Sequence, residues 1–174
     1  MTEILIINKS PFWVGILAEN EYILRVSIAF CREDVLKNLG LRNKISNNPS
    51  SLLQRLKKDL IAYLEGKKVD FSSYSLQFKG FSPLAKKVLV QLKYISYGQT
   101  RSYEWAAKKT GTRGYRAVGR ILSKNPFPII LPCHRVIRKD GAIAGLYPSR
   151  KIREKLLQIE GYFPPVFPCL FKLN

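Results

Sequence analysis

Strand-like and helix-like segments are segregated along this chain. Alternating apolar residues predict three short strands at residues 4–8, 13–18 and 22–30, and residues 19–21 predict a hairpin turn between the last two. Every later periodic segment repeats its apolar residues at intervals of three and four, which is the spacing of a helix. Strands first and helices afterwards is the order of an α+β fold.

The predicted helices carry start and stop signals. Residues 50–64 begin at a serine cap and end before Gly66, and the next helix opens at Ser82-Pro83 and ends at Tyr97-Gly98. The remaining predicted helices span residues 102–109, 114–124 and 149–160.

A stretch without periodicity separates two expected domains. Residues 67–81 have no helical pattern and predict an irregular or extended linker. We therefore expect an N-terminal domain at residues 1–75 and a C-terminal domain at residues 80–165. The chain beyond residue 161 is apolar and contains three prolines, so residues 166–174 are expected to form a tail without regular structure.

The charge of the chain points to a polyanionic partner. The formal net charge is +18, which favours nucleic acid first and an anionic membrane surface second, with a solubilising surface as the plain alternative. Residues 108–153 contain twelve basic residues and one acid, Asp140. The chain has no run of about 18 apolar residues, so no membrane span is predicted. The first residues do not have the pattern of a signal peptide.

Two short predicted helices around Gly111 resemble a helix-turn-helix. The second of them carries Arg116, Ala117, Gly119 and Arg120. Small residues let a helix backbone approach a groove closely, and arginines reach phosphate or base edges. The alternative is a helix packed on its small face with solvated arginines.

Cys133 lies beside His134, the only histidine of the chain, after an apolar segment that prolines stiffen. A thiolate is a strong nucleophile at neutral pH, and imidazole is the usual base that forms one. A lone cysteine is more often an inert, buried small hydrophobe. The adjacent histidine and the positively charged surroundings favour a nucleophile here.

The cysteines also bear on metal and location. Cys31, Cys133 and Cys169 form no C-x-x-C pair, so neither a zinc site nor a disulfide framework is predicted. A reducing cytoplasm, which would keep Cys133 as a thiol, is the expected location.

His134 needs a route to the thiol and a partner of its own. Adjacent side chains in an extended segment point apart, so His134 would reach Cys133 only through a turn or a bridging water. A carboxylate would fix its tautomer. Glu160 ends the apolar face of the last helix and is the candidate, with a surface acid at a helix end as the alternative.

Pro132-Cys133-His134-Arg135-Val136 resembles the active-site motif of the O6-alkylguanine-DNA alkyltransferases, also called methylated-DNA–protein-cysteine methyltransferases. The resemblance is strong over residues 81–161 and weaker over residues 1–75. Other stretches resemble that family's C-terminal domain in order and spacing: Ser82-Pro83, Tyr97-Gly98-Gln99-Thr100, Ser102-Tyr103, Arg116-Ala117-Val118-Gly119, Asn125-Pro126 and Leu156-Leu157-Gln158-Ile159-Glu160-Gly161.

The resemblance implies a fold and a function. It implies a ribonuclease H-like N-terminal domain with a small β-sheet plus helix, and a mainly helical C-terminal domain of the winged helix-turn-helix type. It implies a repair protein that binds double-stranded DNA containing O6-alkylguanine through the minor groove, flips the damaged nucleotide and takes the alkyl group onto its cysteine in a single turnover. It implies no cofactor, no metal, no membrane association and no obligate protein partner, and a monomer is expected.

The resemblance also assigns roles to single residues. Cys133 would be the acceptor, His134 would take its proton through a water, and Glu160 would orient the imidazole. Asn125 would stabilise the loop around the motif, and Tyr103 would push on the phosphate of the target nucleotide.

Further expected site residues lie on the DNA side and in the pocket. Arg116 would fill the gap that the flipped base leaves. Further DNA contacts are expected from Tyr115, Ala117, Gly119, Arg120, Ser102 and Arg135. The expected pocket residues are Tyr147, Ser149 and Pro132. The family usually has Gly-Tyr and then small residues as a pocket lid, whereas residues 144–150 read Ala-Gly-Leu-Tyr-Pro-Ser-Arg here, which leaves tolerance of alkyl groups larger than methyl open.

Three other functions fit parts of the sequence. An alkyltransferase-like lesion sensor without chemistry would lack the acceptor cysteine, which this chain retains. A cysteine hydrolase takes its histidine from a distant part of the chain, whereas the only histidine here is adjacent. A helix-turn-helix transcription factor would bind specific sequences without needing Cys133.

Overall fold

The computed structural model describes residues 2–40, 46–112 and 114–163. It confirms the mixed α+β class, with a small N-terminal sheet followed by a helical C-terminal part. The strands and helices are, in chain order, β1 (Thr2–Lys9), β2 (Phe12–Glu19), β3 (Tyr22–Ala29), α1 (Arg32–Leu39), α2 (Ser51–Leu64), α3 (Pro83–Gln91), β4 (Arg101–Ser102), α4 (Tyr103–Thr110), α5 (Tyr115–Ser123), β5 (Val136–Ile137) and α6 (Ser149–Ile159).

The N-terminal sheet is antiparallel in the order β1-β2-β3. The predicted hairpin joins β2 to β3, and the pairing of β1 with β2 is an additional finding. Helix α1, which the sequence analysis does not predict, packs on one face of this sheet through Val35 and Leu39. The close approach requires Gly15 of β2, because a Cβ atom at that position would lie 2.4 Å from Cγ1 of Val35. The opposite face packs against α2.

Helix α2 buries one apolar stripe against the sheet and the C-terminal part. Tyr63 belongs to this stripe, so its hydroxyl must find hydrogen-bond partners inside the protein. The following linker has no helix, as predicted, and it covers the free edge of β3. The amide of Ile23 donates to Ser75 and its carbonyl accepts from Gln77, both at 2.9 Å.

The C-terminal part is built on three packed helices, α3, α4 and α5. The hydroxyls of Ser82 and Ser102 cap α3 and α4 by accepting from backbone amides three residues later, at 3.2 and 3.1 Å. Gly111 ends α4 in the left-handed conformation, with φ 72°. Strand β4 pairs in parallel with β5 and so fixes the segment after Cys133 against the start of α4.

Buried side chains of both halves form one continuous cluster from Leu5 to Leu156. The boundary between residues 75 and 80 therefore stays a prediction, because the halves share this core. The predicted tail, residues 166–174, lies outside the described residues. No helix in the described ranges is long and apolar enough to cross a membrane.

Candidate active site

The segment before Cys133 is held by a side-chain bridge. The Asn125 amide donates to the carbonyl of Leu131 at 2.7 Å, and its carbonyl oxygen accepts from the amide of Phe127 at 3.0 Å. Phe127 and Leu131 are themselves fully buried. The mount of Cys133 is thus fixed from both sides by packing and by Asn125.

Cys133 begins a single 3₁₀ turn, Cys133–Arg135, so the chain at this point is not extended. Its amide donates to Leu131 at 2.7 Å, and the amide of Arg135 donates to Pro132 at 3.0 Å. The thiol is half-buried and free of any disulfide. The turn lets Cys133 face a cavity while His134 points into the core.

His134 is 1% exposed and has an asymmetric environment. Its Nε2 lies 2.7 Å from Oε1 of Glu160 and 3.1 Å from the hydroxyl of Tyr63. Its Nδ1 is buried and has no hydrogen-bond partner among the described residues. The structure therefore brings His134 and Glu160 together, and it adds Tyr63, which the sequence analysis does not single out.

The Glu160 carboxylate is surrounded by donors. Oε1 accepts from the Tyr63 hydroxyl at 2.6 Å, and Oε2 accepts from the amide of Gly98 at 2.9 Å. Nε of Arg135 lies 2.9 Å from Oε2. Burial raises the pKa of Glu160, but the hydrogen bonds from His134 and Arg135 and their charges outweigh it and lower the pKa to about 2. Glu160 is therefore an anion at neutral pH.

These charges decide which nitrogen of His134 carries the proton. Burial lowers the pKa of His134 below its ordinary value, against the opposing effect of Glu160, so the ring is neutral at pH 7. Because ionised Glu160 can only accept, Nε2 must donate to it. The lone pair then resides on Nδ1, which makes that atom the basic one.

A cavity of about 980 Å³ lies beside this pair. Its wall includes Cys133, His134, Tyr103 and Ser149. The roles expected of Tyr103 and Ser149 stay predictions. The same wall reaches β3 and α1 of the N-terminal half, so both halves shape it.

Arg153 is a second residue that the sequence analysis misses. Its Nη2 donates to the carbonyls of Cys133 and Val136 at 2.7 and 2.6 Å. Its Nη1 donates to the carbonyl of Ala144 at 3.0 Å and to the Tyr103 hydroxyl at 3.3 Å. One guanidinium thus ties together the cysteine turn, the loop after β5 and the start of α4.

Three expected residues lie elsewhere. Arg135, an expected DNA contact, points inward: its Nε and Nη2 donate to Glu160 and its Nη1 donates to the carbonyl of Ile95 at 2.6 Å. Pro132 lines a separate cavity of about 460 Å³ on the other side of the cysteine turn. Tyr147 is 80% exposed and, like Leu146, projects into solvent instead of lining the Cys133 cavity.

Helix α5 presents a basic surface next to this cavity. Tyr115, Arg116 and Arg120 are exposed, whereas Ala117 and Gly119 are half-buried. Neither arginine forms a salt bridge with the part of the chain that the structure describes. Gly119 also lines the cavity, so α5 leads from the surface to Cys133. The Ser102 hydroxyl caps α4 at the same end of the molecule.

Metal ligands are not grouped in the described residues, where no three His, Cys, Asp or Glu side chains come together in a way that could hold an ion. Cys31 is a free thiol like Cys133, and Cys169 lies outside the described ranges.

Comparison with known proteins matches both halves of the chain to one family. Residues 4–78 match the model described as "6-O-methylguanine DNA methyltransferase, ribonuclease-like domain", and residues 83–162 match its DNA binding domain. A methylated-DNA–protein-cysteine methyltransferase of Methanocaldococcus jannaschii is 32% identical over 173 residues, which covers 94% of this chain and all of that protein.

Two further proteins are similar to this chain. The crystal structure of the Mycobacterium tuberculosis O6-methylguanine methyltransferase has a TM-score of 0.74 at 25% identity and covers 95% of this chain and 97% of that one. A protein of Thermus thermophilus named "DNA base-flipping protein" is 32% identical over 111 residues, or 64% of this chain and 75% of that protein. The chain belongs to the family of methylated-DNA–protein-cysteine methyltransferases, the 6-O-methylguanine DNA methyltransferases.

Proposed function

We propose that this protein repairs O6-alkylguanine in double-stranded DNA by moving the alkyl group, methyl first, irreversibly onto Sγ of Cys133. The observation that carries the proposal is that Nδ1 of His134 is buried and has no hydrogen-bond partner within residues 2–40, 46–112 and 114–163, next to a free thiol in a cavity wall. The family membership supplies the substrate class. Cys133 is the acceptor and His134 the base.

Activation of the thiol begins with proton transfer to Nδ1 of His134. A water between Sγ and Nδ1 carries the proton, since Nδ1 makes no direct hydrogen bond to the thiol even within the turn. Glu160 holds the ring by Nε2 and stabilises the imidazolium that forms. The resulting thiolate is the nucleophile.

Access to the lesion requires extrusion of the nucleotide. Guanine O6 is stacked and paired within a duplex, so the base must leave the helix to reach Cys133. Extrusion is cheapest for a base with damaged pairing, which itself contributes selectivity. Exposed Arg116 at the start of α5 fills the gap, and Tyr103 on the cavity wall presses on the target phosphate.

The transfer step forms the bond between Sγ and the methyl carbon and breaks the bond between that carbon and O6. The electron pair of the broken bond stays on guanine, which then needs a proton. Tyr103 is the candidate donor of this proton, because Arg153 donates to its oxygen and leaves its own O–H free to donate. The proton that His134 took from the thiol returns through solvent water to Tyr103, so the net transfer is from the thiol to guanine. The backbone amides of Cys133 and Arg135 do not stabilise the guanine anion, because both already donate to backbone carbonyls.

The product is a thioether, and none of these groups can break it. One protein molecule therefore accepts one alkyl group. This stoichiometry needs no partner protein, so the proposal includes a monomer that acts on lesion-bearing DNA. The proposal also includes a cytoplasmic location and a division into two domains at residues 75–80. No cofactor takes part, because the thiol supplies the nucleophile and the imidazole the base.

The second candidate is a lesion sensor without chemistry, which the similarity to the base-flipping protein favours. Nucleoside analysis of a duplex with one O6-methylguanine separates the two. Repair predicts that O6-methylguanine disappears and guanine appears in equal amount, up to one equivalent of protein. The Cys133→Ala protein is the control, and it should bind the duplex without changing its bases. Tight binding of the wild-type protein with an unchanged lesion would establish the sensor.

A further inference from the structure

Tyr63 brings a buried phenol from the N-terminal half into the active site of the C-terminal half. It lies near the end of α2, and its hydroxyl reaches Oε1 of Glu160 at 2.6 Å and Nε2 of His134 at 3.1 Å. Its ring is fixed by edge-on contacts with Phe71 and Tyr97, whose centroids lie 6.0 and 6.1 Å away. A phenol in this position cannot rotate away from the two groups.

The directions of these hydrogen bonds follow from the charges. Burial and the charge of Glu160 raise the pKa of Tyr63 well above its ordinary value, so the phenol stays protonated. Since Glu160 is ionised, the phenol donates its only hydrogen to that carboxylate. Its oxygen can then only accept, and Nε2 of His134 is the donor that faces it.

We propose that Tyr63 is a positioning residue for the alkyl transfer: it holds Nε2–H of His134 between two acceptors and so keeps Nδ1 free as the base. This role rests on the proposed function. It makes the base of the C-terminal half dependent on a side chain of the N-terminal half.

Tyr63 also weakens the effect of the Glu160 carboxylate on the pKa of His134. Its hydrogen bond at 2.6 Å draws charge from Oε1 of Glu160, which weakens the pull of Glu160 on the imidazole proton and lowers the pKa of His134. This effect outweighs the longer 3.1 Å contact in which the phenol oxygen accepts from Nε2–H and favours the protonated ring.

The other charged or titratable groups around the imidazole of His134 are Arg135 in the same turn, Arg153 of α6 and the neighbouring Cys133 thiol. Tyr97 packs against the ring of Tyr63. Both arginines disfavour the charged form of His134 and lower its pKa, whereas Glu160 favours that form and raises the pKa. Without the phenol, Glu160 attracts the imidazole proton more strongly, so the pKa of His134 rises.

The test uses the fact that His134 is the only histidine. In intact protein with ¹⁵N-labelled histidine, the nitrogen chemical shifts report its tautomer, and a titration reports its pKa. In the wild-type protein we expect the proton on Nε2 and a pKa below the ordinary value. In Tyr63→Phe the pKa of His134 should rise by about one unit, the size of one lost charge-assisted hydrogen bond.

The transfer rate should follow the same shift. Neutral His134 is the base, so the rate falls as the pH drops through its pKa. A raised pKa therefore moves the acid limb of the rate profile to higher pH by the same amount in Tyr63→Phe.

Tyr74→Phe is the matched control. Tyr74 is also buried, also lies in the N-terminal half, and also donates to a carboxylate, Asp59, at 2.6 Å. A purely structural role for Tyr63 predicts that both variants lose stability alike and that neither changes His134. The proposal predicts a shifted His134 only in Tyr63→Phe.

An unchanged pKa of His134 in Tyr63→Phe would overturn the proposal. A wild-type spectrum with the proton on Nδ1 would overturn it as well, and that measurement needs no variant. If the spectra behave as expected but Cys133 accepts no methyl group, the proposed function fails while the restraint on His134 stands.

Discussion

The guanidinium of Arg153 donates to the carbonyl oxygen of Cys133 at 2.7 Å and reaches the Tyr103 hydroxyl from the same group. The nucleophile and the candidate proton donor are therefore held by one side chain of α6. The distance between Cys133 and Tyr103 across the cavity therefore depends on the planar guanidinium of Arg153, whose fixed set of donors a lysine does not have.

Arg153→Met should slow transfer without abolishing it. The change removes four hydrogen bonds, to Cys133, Val136, Ala144 and Tyr103, and a misplacement near 1 Å costs about a hundredfold in rate. Single-turnover kinetics on a methylated duplex measures the effect. Arg150→Met, which removes only an exposed pair with Glu154, is the control and should react at the wild-type rate. Equal rates for the two variants would contradict the role of Arg153.

Asn125→Ala should destabilise the mount of Cys133. Both of its hydrogen bonds lie in the segment between α5 and the cysteine, and their loss should lower the free energy of unfolding by about 1–2 kcal/mol. Urea unfolding gives this value, and transfer kinetics should show a slower reaction. Asn8→Ala, at an exposed position of β1, should leave both quantities unchanged. An Asn125→Ala protein with wild-type stability would contradict this prediction and show that other contacts support the loop.

Glu160 should make the protein sensitive to acid. Its pKa falls from 4.5 to about 2 on folding, so the stability it contributes is present above pH 4.5 and is lost as the pH falls towards 2. Glu160→Gln should be less stable at pH 7 and should lose less stability than the wild-type protein as the pH falls through this range. Urea unfolding at several pH values checks the slope. Glu65→Gln, at an exposed carboxylate, should keep most of the wild-type slope.

Arg116→Ala should separate duplex repair from the chemistry. Stabilising an extruded base is worth a few kcal/mol, so the rate on duplex DNA should fall about tenfold or more. The slow reaction with free O6-methylguanine needs no extrusion and should keep its rate. Arg138→Ala removes another exposed arginine, outside α5, and controls for general loss of charge. Equal loss on both substrates would exclude the extrusion role.

The sequence predicts the scaffold of the site because its signals are local. Ser82 and Ser102 begin helices by capping them, and Gly111 ends one, so the helices around α5 follow from neighbouring residues. The pairing of His134 with Glu160 was predictable from chemistry, since a sole histidine beside a cysteine needs a carboxylate and few acids follow it.

Tyr63, Arg135 and helix α1 are not predicted correctly from the sequence, each for a different reason. Tyr63 repeats with the apolar stripe of α2, so nothing local distinguishes its hydroxyl from that of any core tyrosine. Arg135 lies in a strongly basic stretch, which favours a DNA contact, yet the buried Glu160 requires a cation and takes it. Helix α1 has only eight residues and follows β3 closely, and its capping Gly40 is its main signal.

The central claim is that Cys133 accepts one alkyl group and is then spent. Intact-protein mass spectrometry after mixing with an excess of O6-methylguanine duplex, followed by peptide mapping, tests it directly. We expect a gain of one methyl group per protein, on the peptide that contains Cys133, with Cys31 and Cys169 unmodified. Unmodified protein bound to an intact lesion, or methyl groups spread over the cysteines, would contradict it.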